Sequence, residues 1–246
     1  MRTVRVYSET KLDEETTVSL DDQAARHIAR VLRMRSGDAI VLFDGSGLEF
    51  PGILINVTLK SVSVELEKHA APNTESPLQI KLWHGICRGE KMDYVIQKAT
   101  ELGVYEIQPV LTHRSVVKLD ADRASKRVEH WRRVAISAAE QSGRVFVPEI
   151  LAPQTLLNAL EEETESTWKF LLDPQAEKAN EKILQGDTIT LLTGPEGGFT
   201  EEERQAGSQA GFTLMALGPR VLRSETAPVS ALSILQHQFG DMGKRP

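Results

Sequence analysis

Two loops about 20 residues apart constrain this chain more than any other feature. Thr193-Gly194-Pro195-Glu196-Gly197-Gly198 follows one short apolar run, and Leu217-Gly218-Pro219-Arg220-Val221-Leu222-Arg223-Ser224-Glu225-Thr226-Ala227-Pro228 follows another. Each run has strand character, breaks into Gly and Pro, and gives way to a helical pattern. An α/β protein uses such strand-to-helix loops to hold a small molecule at the carboxyl ends of its strands. Arg220, Arg223, Glu196 and Glu225 make the expected site charged as well as tightly turned. The first loop lacks both the Gly-Lys-Ser/Thr ending of a P-loop and the spacing of a Rossmann fingerprint. That argues against an ATPase and against an NAD enzyme, and leaves room for another ligand with adenine-like or ribose-like features. Gly194, Gly197 and Gly198 are equally readable as plain turn residues.

The pattern of the chain changes once. Ala70-Ala71-Pro72-Asn73-Thr74-Glu75-Ser76-Pro77 is short, polar and broken by two prolines. Before it, strands dominate: Ser61-Val62-Ser63-Val64-Glu65-Leu66-Glu67 alternates strictly, and 39–43 and 52–57 are further candidates. A helix over 22–34 interrupts them, with Asp21 as its N-cap. After the prolines, strand patterns near 78–83, 105–111, 168–172, 188–193 and 212–217 alternate with helices. One helix carries Met92, Val95, Ile96, Ala99 and Leu102 on one face, and another runs from about Asp122 to Gln141. Thr200 with Glu203 has capping-box spacing, and Pro228 suits a first helical turn. The division expected is residues 1–72, a linker at 73–76, and an α/β domain over 77–246 with a mostly parallel sheet and helices on both faces.

Composition adds limits. The single cysteine, Cys87, excludes an intramolecular disulfide, and no cluster of side chains has metal-ligand spacing, so no metal is expected. The N-terminus lacks the apolar core of a signal peptide, and no run approaches the ~20 apolar residues of a membrane span. A cytoplasmic protein is the expectation. The net charge of −6 is unevenly distributed: residues 77–150 carry 12 basic and 9 acidic groups, whereas 151–246 carry 8 and 14. Local patches matter more than the total for contact with phosphates. The acidic run Glu161-Glu162-Glu163-Thr164-Glu165 reads as a solvated helix end or loop.

With their flanks, the two loops resemble the signature motifs of the SPOUT superfamily of S-adenosylmethionine-dependent RNA methyltransferases. Within it, the chain is most similar to the small-subunit (16S) ribosomal RNA uridine-N3 methyltransferases. The resemblance is carried in order by His27-Ile28-Ala29-Arg30-Val31-Leu32-Arg33-Met34, Gly37-Asp38, Leu42-Phe43-Asp44-Gly45, Arg88-Gly89-Glu90-Lys91-Met92-Asp93, Gln97 to Val104, Glu140-Gln141-Ser142-Gly143-Arg144 and Val147-Pro148. Ser224 stands where Thr is the more usual family residue, which keeps the hydroxyl. The resemblance implies a PUA-like small β-barrel that binds RNA, followed by a SPOUT domain whose C-terminal chain is tied into a deep trefoil knot. It also implies S-adenosylmethionine as methyl donor, 16S ribosomal RNA of the small subunit as partner, and a homodimer. The cofactor pocket it implies comprises Leu172, Thr193, Gly194, Glu196, Gly197, Gly198, Leu217, Gly218, Val221, Leu222 and Thr226.

The implied chemistry moves a methyl group to a uridine ring nitrogen that normally carries a proton, so the anion must be favoured or the proton removed. Arg220 and Arg223 are candidates to stabilise negative charge at the uracil carbonyl. Glu196 or Glu225 could act as a base or orient an arginine, and an Arg223–Glu196 partnership is the expectation. Arg26, Arg30 and Arg33 lie at i, i+4 and i+7, on one face of a regular helix, and are candidate RNA contacts together with Arg88 and Lys91. Arg123, Lys126, Arg127, Arg132 and Arg133 form a second basic cluster. Ala231, Leu232, Leu235 and Phe239 of the last helix are candidates either for a two-fold contact or for ordinary core.

Overall fold

A computed structural model describes residues 4–115, 120–163, 166–176 and 188–243. The chain divides into two compact units, one built from residues up to Glu75 with Ala139–Val147, the other from Ser76–Ala138 and from Pro148 onward.

In the first unit, β1 (Val4–Tyr7), β2 (Thr17–Leu20), β3 (Ala39–Phe43), β4 (Glu49–Val57) and β5 (Val62–Leu66) hydrogen-bond in the order β1-β3-β4-β5-β2. The β1–β3 ladder is parallel and the others antiparallel. Against the expectation of a small barrel, no ladder joins β1 to β2 among the described residues, so the hydrogen-bonded path stays open. The alternation at 61–67 has its physical cause here: Val62, Val64 and Leu66 face a core with Ile40, Leu42, Phe50 and Leu54. Residues 139–147 complete this unit, which the sequence pattern did not indicate. Glu75, from the expected linker, accepts Arg144 Nη2 at 2.6 Å and the Val145 and Phe146 N–H groups at 3.0 and 3.2 Å. The Tyr7 N–H donates to Glu140 at 3.0 Å.

The helix expected over 22–34 forms with a correction. Asp21 caps it, accepting the Ala24 N–H at 2.8 Å, and α1 (Asp22–Arg26) is regular. His27–Leu32 then widens into a π-helix that closes at Arg33, whose φ of 54° is left-handed and whose N–H bonds back to the Ile28 carbonyl. That bond spans five residues instead of four. The α-helical register that would stack Arg26, Arg30 and Arg33 is therefore not kept.

In the second unit, β6 (Gln79–Gly85), β7 (Glu106–Leu111), β8 (Glu149–Ile150), β10 (Trp168–Leu172), β11 (Thr188–Thr193) and β12 (Thr213–Met215) form a sheet in the order β12-β10-β11-β6-β7-β8, and β9 (Gln154–Thr155) also pairs with β7. Every one of these ladders is parallel. The crossovers use α2 (Lys91–Glu101), α3 (Ala121–Ser142), α4 (Leu156–Glu162) and α5 (Glu201–Gln209), and α6 (Thr226–Gln238) closes the chain. α6 packs on α2. Ala231, Leu232 and Leu235 are buried inside the single chain, so they are core residues and not a two-fold contact. Glu163 departs from the solvated run expected of it. It is 8 % exposed and accepts the Ser166 N–H at 2.9 Å and the Thr190 hydroxyl at 3.1 Å, while Thr164 and Glu165 lie outside the described residues. No helix among the described residues is long and apolar enough to cross a membrane.

The capping box at α5 is present as its spacing predicts, with the Glu203 N–H donating to Thr200 Oγ1 at 3.2 Å and Glu203 accepting the Thr200 N–H at 2.8 Å. Glu203 is also buried and accepts the His113 N–H at 2.7 Å from the loop after β7. Thr200→Ala should lower unfolding free energy by about 1 kcal/mol, the usual loss for a cap. Glu203→Ala should lower it by about 2 kcal/mol, because a second backbone donor, the part-buried His113 N–H, also loses its acceptor. Urea titrations check this, and equal losses in the two variants would mean that the His113 bond contributes nothing.

Candidate active site

The β11–β6 ladder ends with Thr193 opposite His84, and Gly85 follows as the last residue of β6. The first loop turns directly over this end. A Cβ built on Gly85 would lie 2.4 Å from Pro195 Cδ, closer than any side chain permits, so the loop can lie on the strand only because Gly85 is a glycine. Gly198 at φ +66° and Gly218 at φ +129° supply the left-handed backbone of the two loops. Gly197 serves a different purpose from the one the sequence suggests: its missing Cβ leaves room for the Arg114 stem, which would approach to 2.8 Å. Arg114 then donates from Nη1 to the Gly197 carbonyl at 2.9 Å.

The two loops and the end of β10 enclose a cavity of about 600 Å³. Leu172, Thr193, Gly194, Glu196, Gly197, Gly198, Leu217, Gly218, Val221 and Leu222 line it, as do Arg220 and Arg223. Thr226 does not: it starts α6, and its N–H donates to the Arg223 carbonyl at 2.9 Å. Sequence reasoning missed Asp173, Arg204, Arg114 and Met215, which also line the cavity. Asp173 is buried and accepts Arg204 Nη1 at 3.1 Å, and Arg204 pairs with Glu201 as well. Nothing in the local pattern marked these residues, because they come from four separate segments. A cavity of this size, lined by leucines together with glycine backbone and charged side chains, fits a nucleoside-bearing ligand. Among the described residues no group of His, Cys, Asp and Glu could hold a metal ion.

The charged groups at the rim differ from the expected arrangement. No ion pair joins Arg223 to Glu196 among the described residues. Glu196 instead pairs with Lys91, whose Nζ lies 3.3 Å from Glu196 and 3.5 Å from Glu225. Glu196 also accepts the Arg88 N–H at 3.2 Å, and Ser224 Oγ donates to Glu225 at 3.1 Å. Lys91, expected at the RNA, has its ammonium between two carboxylates because it occupies the first position of α2, directly beneath both loops. Arg220 and Arg223 are exposed and have no ion-pair partner among the described residues. Desolvation alone would push the Glu196 carboxyl up, but its own backbone N–H, that of Arg88 and the Lys91 ammonium hold it below the usual range. Its own backbone N–H lowers Glu225, against some desolvation and helped by Ser224 and Lys91. Both carboxylates are therefore ionised and weakly basic at neutral pH.

At the end of β6, under the first loop, sits a buried polar group that the sequence analysis did not single out. His84 is fully buried, with Nδ1 2.7 Å from Thr193 Oγ1 and Nε2 3.4 Å from Cys87 Sγ. Burial lowers its pKa from 6.5 to about 4, outweighing the opposite pull of Glu196 and Glu225. Burial likewise pushes the Cys87 thiol up to about 11, which makes it unreactive. Arg26, Arg30 and Arg33 belong to the other unit, and Arg88 lies beside the site through its backbone N–H.

Two family models match the chain, one described as an RNA methyltransferase domain over residues 74–236, the other as an RNA methyltransferase PUA domain over residues 20–67. The ribosomal RNA small subunit methyltransferase E of Bacillus subtilis (strain 168) is 32% identical over 237 residues, 93% of this chain and 93% of its own. That of Buchnera aphidicola subsp. Schizaphis graminum (strain Sg) is 33% identical over 242 residues, 98% of each chain. A crystal structure of the ribosomal RNA small subunit methyltransferase E from Neisseria gonorrhoeae bound to S-adenosyl methionine superposes with a TM-score of 0.92 at 37% identity, over 98% of this chain and 100% of that one.

A group whose folded pKa is depressed contributes stability above its unfolded pKa and loses it as pH falls towards the folded value. His84 should therefore reduce stability progressively between pH 6.5 and about 4. The full loss should be on the order of 3 kcal/mol. Urea midpoints across that window should fall more steeply in the wild-type protein than in His84→Asn. Parallel curves would mean that some other group carries the acid sensitivity.

Proposed function

This chain belongs to the RNA methyltransferase family, among the ribosomal RNA small subunit methyltransferases E, and from that premise we propose that it transfers a methyl group from S-adenosylmethionine to N3 of a uridine in 16S ribosomal RNA. The observation that carries this reading is the meeting of both glycine loops on one cavity, whose lining includes Arg220 and Arg223, two arginines with no ion-pair partner among the described residues. Leu172, Leu217 and Leu222 offer an apolar wall for an adenine, and the Thr193–Gly198 backbone offers polar contacts. When bound, S-adenosylmethionine supplies an electrophilic methyl group.

The protein's part is to bring the uridine into line and to favour its N3 anion. The N3 proton passes to solvent water, and the resulting anion, held in line by the protein, would take the methyl group that S-adenosylmethionine supplies. Arg220 and Arg223 are positioned to stabilise charge that grows on the uracil carbonyls. Glu196 and Glu225 are made poorer proton acceptors than an ordinary carboxylate by the groups that lower them. In this reading they organise the site, and proximity supplies much of the acceleration.

The reading has further parts. The C-terminal chain forms a deep trefoil knot, a reading supported by β10 lying between β12 and β11 and by the meeting of loops that follow β11 and β12. The segment 1–72 is a PUA-like RNA-binding domain, and 77–246 performs the chemistry. Arg26, Arg30, Arg33 and Arg88 contact RNA phosphates. The protein acts in the cytoplasm as a homodimer through a surface other than Ala231, Leu232 and Leu235, and a monomeric mass in sedimentation of the active protein would rule the dimer out.

Small-subunit RNA from cells lacking this chain should lack 3-methyluridine by mass spectrometry, and the purified protein with S-adenosylmethionine should restore it. Persistence of that nucleoside would rule out the substrate. Calorimetry should detect S-adenosylmethionine binding that EDTA leaves unchanged, and Gly218→Ala should weaken it at least roughly tenfold, because φ +129° strains any other residue. Arg223→Ala should lower kcat by roughly a hundredfold while leaving cofactor affinity within about twofold. A loss confined to cofactor affinity would move Arg223 from the chemistry to the pocket wall.

A further inference from the structure

Among the described residues, the Lys91 ammonium is the one charge that pairs with both loops. It reaches Glu196 on the first at 3.3 Å and Glu225 on the second at 3.5 Å, and it stands on a third segment, the first turn of α2. The Arg88 N–H holds Glu196 from the same segment, and Ser224 holds Glu225 from within its own loop. We propose that Lys91 is a positioning residue: its ammonium clasps the two loops together, and so sets the mouth of the cavity and leaves Arg220 and Arg223 free of carboxylate partners. This deepens the proposed function and rests on it for the identity of the ligand, but not for the clasp itself.

The electrostatics support the geometry. Removing one cation would leave two carboxylates facing each other, and like charges at one site raise each other's pKa. The groups around them are His84 and Cys87 from the end of β6, the Arg88 backbone N–H, and Arg114 from the loop after β7. Arg220 and Arg223 come from the second loop, and Asp93 on α2 is occupied by His130 at 2.7 Å. Burial keeps His84 neutral, with a pKa near 4, and Cys87 a thiol, with a pKa near 11. Near neutral pH neither His84 nor Cys87 can supply a positive charge in place of Lys91, and among the described residues no ion pair joins Arg114, Arg220 or Arg223 to Glu196 or Glu225. The Lys91 side chain is 38 % exposed, but its ammonium is already paired twice, so a phosphate would have to compete with Glu196 and Glu225 for it.

Lys91→Met keeps most of the side chain's length and removes the charge, whereas Lys91→Arg keeps the charge. In hydrogen exchange on the ligand-free protein, Lys91→Met should speed exchange of the amides in 194–199 and in 217–225 together, by roughly threefold to tenfold. Lys91→Arg should restore most of the protection. Glu225→Gln should speed exchange only in 217–225. S-adenosylmethionine affinity should fall by a similar factor in Lys91→Met, and its acid limb should move to higher pH because a carboxylate left without its cation takes up a proton sooner. Unchanged exchange in both loops would overturn the clasp. So would a drop of up to ~0.9 in the log–log salt slope for RNA with the loops unaffected, which would make Lys91 a phosphate contact. If the wild-type protein binds no S-adenosylmethionine at all, the proposed function fails, and the exchange experiment still judges the clasp.

Discussion

Pro195 lies against the end of β6 so closely that one additional carbon on Gly85 would come within 2.4 Å of its ring. That contact fixes the height of the first loop above the sheet, and the rest of the site follows from it. Parallel strands present all their carboxyl ends on one side, and β11 and β6 end in register at Thr193 and His84. The loop leaving β11 must cross its neighbour's end, and a side chain at position 85 would lift it away. The same contact seals His84, which stays neutral because no water reaches it and is anchored by the Thr193 hydroxyl. A histidine, a threonine and a glycine together make the floor on which the charged rim stands.

Charge at the rim is divided between groups that are satisfied and groups that are left open. Glu196 and Glu225 are engaged by Lys91 and by nearby N–H and O–H donors, while Asp173 is engaged by Arg204. Arg220, Val221 and Arg223 remain exposed on the second loop, with Val221 82 % accessible. A protein of net charge −6 can still attract a polyanion if its unpaired cations cluster where the polyanion must dock. The acidic side chains of the last third do not oppose this where they are bound into the fold, as Glu163, Asp173 and Glu203 are. An overall charge count therefore says little about what this surface prefers.

The first unit takes its last piece from far along the chain. Residues 139–147 cluster with the sheet of 4–66, and Glu75 binds them through Arg144 and two backbone N–H groups. An expected linker thus contributes a structural carboxylate. Such long-range closure leaves no periodic signature, because each partner looks locally like an ordinary polar residue in a loop.

What the sequence by itself determined is everything governed by neighbours within a few positions. Strand alternation at 61–67, the Asp21 and Thr200 caps, the parallel α/β pattern and the two glycine loops are set by backbone preferences and period, and each was readable. Of the residues the resemblance implied for a cofactor pocket, all but Thr226 line the cavity, whereas Asp173, Arg204, Arg114 and Met215, which also line it, went unmarked. Tertiary structure decided the pairings. It gave Glu196 to Lys91 and not to Arg223, turned Gly197 towards Arg114, buried Ala231, Leu232 and Leu235 in the chain's own core, and widened the helix at His27–Leu32 out of its arginine register. A charge pairs with whichever opposite charge the fold brings within about 4 Å, and that distance is set by packing between segments far apart in sequence.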